Sequence, residues 1–191
     1  MSTPITNGWG SLMPPVTGTS GTTGVAPCNI YYRRHCIVGT YTSSEIEASI
    51  GGTSATFSKL RFYVAQQPTN QPLLNYAIGM KYTSLEQASN SSASRGGALF
   101  TTVFPQTSTS FATGAYEEFT FSTTFAWTSG NNVAIAFAWG QCPTNYSSTG
   151  KNQIGTGTVY QAQTDDAGTY LVTDSCPSSV RYRTSIQLYV S

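Results

Sequence analysis

The chain has 191 residues, room for one domain or for one domain with a tail. Hydrophobic residues make up 39% and aromatics 13%, enough apolar surface to build a core, so disorder throughout is excluded. Charged residues reach only 9%, nine basic against eight acidic, which provides no field to draw the protein to nucleic acid or an anionic membrane and leaves a hydroxyl-rich surface inclined to associate.

In chain order, residues 1–27 carry Gly8, Gly10, Pro14, Pro15, Gly18, Gly21, Gly24 and Pro27 without apolar periodicity. They read as an extended N-terminal arm, followed by one β domain over 28–191. Ordering such a segment costs about 1 to 2 kcal/mol per residue, so its order is expected to come from a partner. Trp9, Leu12, Met13 and Val16 are the candidate assembly anchors. The start shows no basic region leading into an apolar stretch, and no 18-residue apolar run occurs, so neither an export signal nor a membrane span is expected.

From Asn29 onward, β-branched and aromatic runs alternate with Gly, Pro, Asn and Ser clusters, which predicts eight or nine strands. The clearest is Thr56 to Ala65, with Leu60, Phe62 and Val64 on a core face and Lys59, Arg61 and Tyr63 on a wet one. Tyr76, Ile78, Met80 and Tyr82 repeat the alternation. Phe119, Phe121, Phe125 and Trp127 share a parity across a bend, and Val133, Ile135, Phe137 and Trp139 line one face with Ala134, Ala136 and Ala138 opposite, where another layer can approach closely. The last strand is expected over Arg181 to Val190, with Tyr182, Thr184, Ile186, Leu188 and Val190 inward. One short helix is predicted, with Ser44 as N-cap, Glu47 three residues on, Ile46 and Ile50 inward and Gly51-Gly52 as its stop. Many short strands and so little helix predict an all-β antiparallel sandwich of jelly-roll type.

Few residues suggest chemistry. His35, the single histidine, lies between Arg34 and Cys36 in a strand, so its neighbours project away from it and no Cys-His pair forms there. Glu117 and Glu118 also face apart, whereas glycoside hydrolysis needs two facing carboxyls. Asp165, Asp166 and Asp174 have the chemistry for calcium, but turn aspartates more commonly bond their own backbone. The four cysteines lack zinc-site spacing. Cys28 and Cys36 would stand about 26 Å apart along one strand, beyond the roughly 7 Å reach of a disulfide, and are not expected to pair; Cys142-Pro143 and Cys176-Pro177 each end a strand-like run and form the candidate bridge, with free thiols as an equal alternative. Parity places Trp127 and Trp139 in the core and leaves Tyr146 as a candidate ligand-loop residue. No catalytic residue, cofactor or metal is expected, and the protein is not expected to be an enzyme.

Lys59-Leu-Arg-Phe-Tyr-Val with Asn75-Tyr-Ala-Ile-Gly-Met-Lys-Tyr, and Phe119-Thr-Phe-Ser-Thr-Thr-Phe-Ala-Trp-Thr-Ser-Gly-Asn-Asn-Val-Ala-Ile-Ala-Phe, resemble the jelly-roll modules of bacterial surface and adhesion proteins and of structural proteins of tailed phages, those of cyanobacteria included. The resemblance spans roughly Tyr31 to Val190. It implies a virion structural protein, made in the host cytoplasm: a capsid decoration, collar or tail component that contacts other virion proteins and forms a homo-oligomer, anchored by its arm. The alternative it implies is a carbohydrate-binding or host-adhesion module that recognises a surface glycan.

Overall fold

The computed structural model describes residues 3–12, 27–28, 33–69, 71–86, 100–140, 151–152, 154–164, 168 and 178–191. Among them the chain forms eleven strands and one helix: β1 (Gly8–Leu12), β2 (Arg34–Tyr41), α1 (Ser43–Ile50), β3 (Ser54–Gln66), β4 (Leu73–Thr83), β5 (Thr101–Thr109), β6 (Ala115–Thr128), β7 (Asn132–Trp139), β8 (Lys151–Asn152), β9 (Ile154–Thr164), β10 (Ser178–Thr184) and β11 (Ile186–Val190). Two antiparallel sheets result. The first runs β1-β11-β3-β6, with β8 on the end of β3; the second runs β10-β9-β2-β7-β4-β5. Only β4 with β5 and β9 with β10 are neighbours both in sequence and in a sheet. The chain otherwise keeps crossing between sheets, the winding of a jelly-roll sandwich.

The period-2 patterns place the core. Phe57, Leu60, Phe62 and Val64 of β3, Phe119, Phe121, Phe125 and Trp127 of β6 and Ile186, Leu188 and Val190 of β11 face Tyr76, Ile78 and Met80 of β4 and the odd-numbered residues of β7. Tyr76 stacks on Phe119 at 5.4 Å between centroids, and Phe62 on Phe119 at 5.7 Å. The bend expected in β6 is a bulge: Phe57 pairs with Phe125 but Lys59 already with Thr120, so residues 121–124 loop out of the ladder. The alanine face is buried as expected. Ala134, Ala136 and Ala138 join Cys36, Val38, Ala77 and Phe100 in a second cluster on the outer side of the second sheet.

Two local expectations are corrected. The helix N-cap is Thr42, not Ser44, and the capping partner is Glu45, not Glu47: Glu45 N bonds the Thr42 hydroxyl at 3.3 Å while Thr42 N bonds Glu45 Oε2 at 2.7 Å. Both Thr42-x-x-Glu45 and Ser44-x-x-Glu47 satisfy the capping pattern. Strand β2 decides between them, because it ends at Tyr41 and delivers Thr42 in extended conformation. Gly51, in the left-handed region at φ 68°, stops the helix as expected.

The second correction concerns the arm. Residues 8–12 are not a detached tail but β1, paired with β11 from Gly8↔Val190 to Leu12↔Ile186. Leu12 is wholly buried in the domain's own core, so it is not an anchor for a neighbour, and Trp9 is half-buried against the first sheet. The order that the segment lacks locally comes from the β11 ladder. Gly10 shows why the glycines obscured the strand: a Cβ there would lie 2.8 Å from Ile50 Cγ2, so helix α1 closes over this sheet edge only because residue 10 has no side chain. Met13 and Val16 lie outside the described residues.

Candidate functional site

The face of β3 opposite the core carries Lys59, Arg61 and Tyr63, and it is not simply wet. Register sets Arg61 between Gln187 of β11 and Glu118 of β6, and Trp9 beside Tyr189. The Arg61 guanidinium carbon sits 4.0 Å from the centre of the Trp9 ring and 4.5 Å from that of Tyr116, with its Nε–H donating to Gln187 Oε1 at 2.6 Å. Trp9 meets Tyr189 edge-on at 5.2 Å, the Tyr189 hydroxyl bonds Asn7 Oδ1, and Tyr63 meets Tyr116 edge-on at 5.5 Å. Lys59 pairs with Glu118 at 2.8 Å and lies 5.4 Å from the Tyr189 ring centre. An aromatic and cationic ladder thus crosses all four main strands of the first sheet. At about 0.5 to 2 kcal/mol for each cation–π contact, it also clamps β1 in place.

A different polar group points inward. Glu117 has the parity of Phe119, so it turns toward the interior while Glu118 turns out, and the two face apart as expected. Partial burial raises its carboxyl above the usual range. Its charge is felt by Cys28 and Tyr76, both fully buried. Among the described residues the buried Tyr76 hydroxyl and Trp139 Nε1 have no hydrogen-bond partner, and Tyr76 stacks on Trp139 at 5.8 Å. His35 is buried against the other side of this cluster, 4.8 Å from the Trp139 ring. Burial above all, with Glu117 adding to it, pushes the Cys28 thiol far up, so it stays protonated and is a poor nucleophile. Native protein is therefore expected to leave Cys28 unlabelled by a thiol reagent at pH 8 and to label it fully in denaturant. Rapid labelling of native protein, read by peptide mass spectrometry, would contradict this burial.

The cysteine expectation needs correcting. Cys36, in β2, is disulfide-bonded, whereas Cys28 is a free thiol. Cys142 and Cys176, the candidate bridge, lie outside the described residues; the strand distance excludes only a Cys28–Cys36 pair and says nothing of a bond from Cys36 to another part of the chain. Tyr146, Asp165, Asp166 and Asp174 also lie outside the described residues. Trp127 and Trp139 are core residues as expected, with Trp127 Nε1 donating to Asn131 O at 2.8 Å.

Among the described residues, no three His, Cys, Asp or Glu side chains gather as a metal site, and no helix is long and apolar enough to cross a membrane. The sequence reading missed Arg61, Trp9, Tyr116, Tyr189 and Gln187 as a group. Its only trace was the outward parity of Lys59, Arg61 and Tyr63, since the other members come from strands far away in sequence. The fold defines a β-sandwich with an organised outer sheet face, a class that hosts many roles. No family model matches the sequence, and a search of the curated proteins finds no match.

Proposed function

We propose that the protein is a non-enzymatic structural subunit of a bacteriophage virion, a capsid decoration, collar or tail component that self-associates and contacts other virion proteins. The resemblance in hydrophobic pattern to phage jelly-roll modules supports the reading, and one structural observation carries it. Among the described residues, β6 is hydrogen-bonded to a strand on one side only. From Thr120 onward its exposed side chains, Thr120, Ser122, Thr123, Thr124, Ala126 and Thr128, are all uncharged, as are Thr101, Thr102, Gln106, Thr107 and Ser108 on the neighbouring β5, while Glu118 near its start is paired with Lys59. Free-standing domains guard such edges with Lys, Pro or bulges. Here β5 carries Pro105 and β6 only its bulge, which prevents open-ended strand pairing while leaving a neutral hydroxyl ridge whose desolvation costs far less than that of charges.

Attachment through this ridge replaces attachment through Trp9 and Leu12, which the domain uses itself. Mass spectrometry of purified particles is expected to find the chain. Add-back of recombinant protein to particles lacking it is expected to restore cosedimentation, and the Ser122→Arg, Thr124→Arg double variant is expected to melt within a few degrees of wild type yet remain unbound. Absence from the particles would overturn the virion role, and full incorporation of the double variant would overturn the ridge.

A further inference from the structure

We propose that the outer face of the first sheet is a binding site for an acidic saccharide, with Arg61 as receptor for the sugar's carboxylate and Tyr116 as the ring it stacks on. The inference goes beyond a structural role and does not depend on where the domain is assembled. It rests on how Arg61 is held. Its guanidinium lies between Trp9 and Tyr116 and is tethered through Nε to Gln187. The carboxylate opposite it in the ladder, Glu118, is engaged instead by Lys59. Among the described residues nothing accepts from the two Nη atoms of Arg61, and this side chain is only half-buried. The result is a planar fork, immobilised by packing, with its outer N–H groups unspent.

Such a fork suits a planar, two-oxygen anion, which it meets with two parallel hydrogen bonds. Because stacking has already restricted the side chain, little further freedom is lost on binding. Together Lys59, Arg61 and Glu118 carry one net positive charge, matching one carboxylate. The surroundings select for a sugar over a bare anion. Tyr116 is 45% exposed and offers an apolar ring beside the fork, while Glu118, Thr120 and Ser11, all exposed, and half-buried Gln187 add hydroxyl, amide and carboxylate groups able to meet sugar hydroxyls. A protein partner would want a larger apolar centre than this face provides.

The test titrates the full chain, followed by NMR amide shifts and calorimetry, with N-acetylneuraminic acid and D-glucuronic acid as probes, D-glucose as the neutral sugar and sodium acetate as the bare carboxylate. At least one acidic sugar is expected to shift amides of β3, β6 and β11 and to bind about tenfold or more tighter than either control, the weight of one charged bidentate contact plus a stacked ring. Arg61→Gln and Tyr116→Ala are each expected to weaken binding by about tenfold or more. Arg61→Lys keeps the charge but not the fork, and is expected to bind as weakly while melting near wild type; it decides the matter if Arg61→Gln loosens β1. Four results would overturn the proposal: no binding of either acidic sugar, equal binding of glucose, equal binding of acetate, or wild-type affinity in folded Arg61→Lys.

Discussion

Phe62→Ala is expected to destabilise the protein by about 3 to 5 kcal/mol, a large part of the roughly 5 to 15 kcal/mol that holds a domain of this size. Phe62 is fully buried at the centre of the sandwich. Its ring meets Phe119 at 5.7 Å, Phe111 at 6.0 Å and Phe137 edge-on at 5.9 Å, so it joins β3 and β6 of the first sheet to β7 of the second. Truncation removes the transfer energy of the ring and leaves a cavity that three large rings from different elements cannot close. Lys59→Ala, whose ion pair is more than a third exposed, is expected to cost under about 1 kcal/mol. Urea unfolding at pH 7 compares the two, and equal losses would contradict the assigned register.

Glu45→Ala is expected to cost about 3 kcal/mol, since it removes the carboxylate that both Nη atoms of the buried Arg183 guanidinium reach. Arg183 reaches Glu45 with both Nη atoms, donates also to Thr40 O, and lies 5.1 Å from the Tyr41 ring centre, while the Tyr41 hydroxyl bonds Thr184 O at 2.7 Å. The same carboxylate caps α1 through Thr42, so one residue fastens the helix to β2 and to the end of β10. Burial would raise the Glu45 carboxyl, but the hydrogen bonds from Arg183 and Thr42 and the Arg183 charge outweigh it and hold the group below its usual range. A carboxyl lowered in the folded state stabilises above its unfolded pKa of about 4.3, and that contribution is lost as pH falls through the lower folded value. Wild type minus Glu45→Gln, measured by urea unfolding from pH 7 to pH 2, should therefore shrink below about pH 4. A difference independent of pH would show that Glu45 acts through packing alone.

How much of this was legible beforehand varies from element to element. Alternation in β3, β6 and β7 identified nearly every core side chain, because a period of two survives whatever partner a strand takes. The single last strand expected over Arg181 to Val190, however, breaks at Ser185 into β10 of the second sheet and β11 of the first. Alternation failed at Tyr82, expected inward with Met80 but 45% exposed, where the chain leaves the sheet interior and its hydroxyl bonds Ala126 O at 2.6 Å instead. It also missed β1, since Gly8 and Gly10 carry no pattern and the strand exists only through β11.

By itself the sequence determined the fold class, the core faces, the buried tryptophans, the small helix and its glycine stop, and the divergence of Glu117 from Glu118. All of these follow from local periodicity and turn chemistry. Tertiary structure alone decided that the first strand belongs to the domain, that Thr42 rather than Ser44 caps the helix, that Cys36 is the bonded cysteine, and that Arg61 is stacked between Trp9 and Tyr116. The pairing of β1 with β11 and the stacking of Arg61 on Trp9 and Tyr116 join residues far apart in sequence, and register across such distances is set by the packing of the whole sandwich.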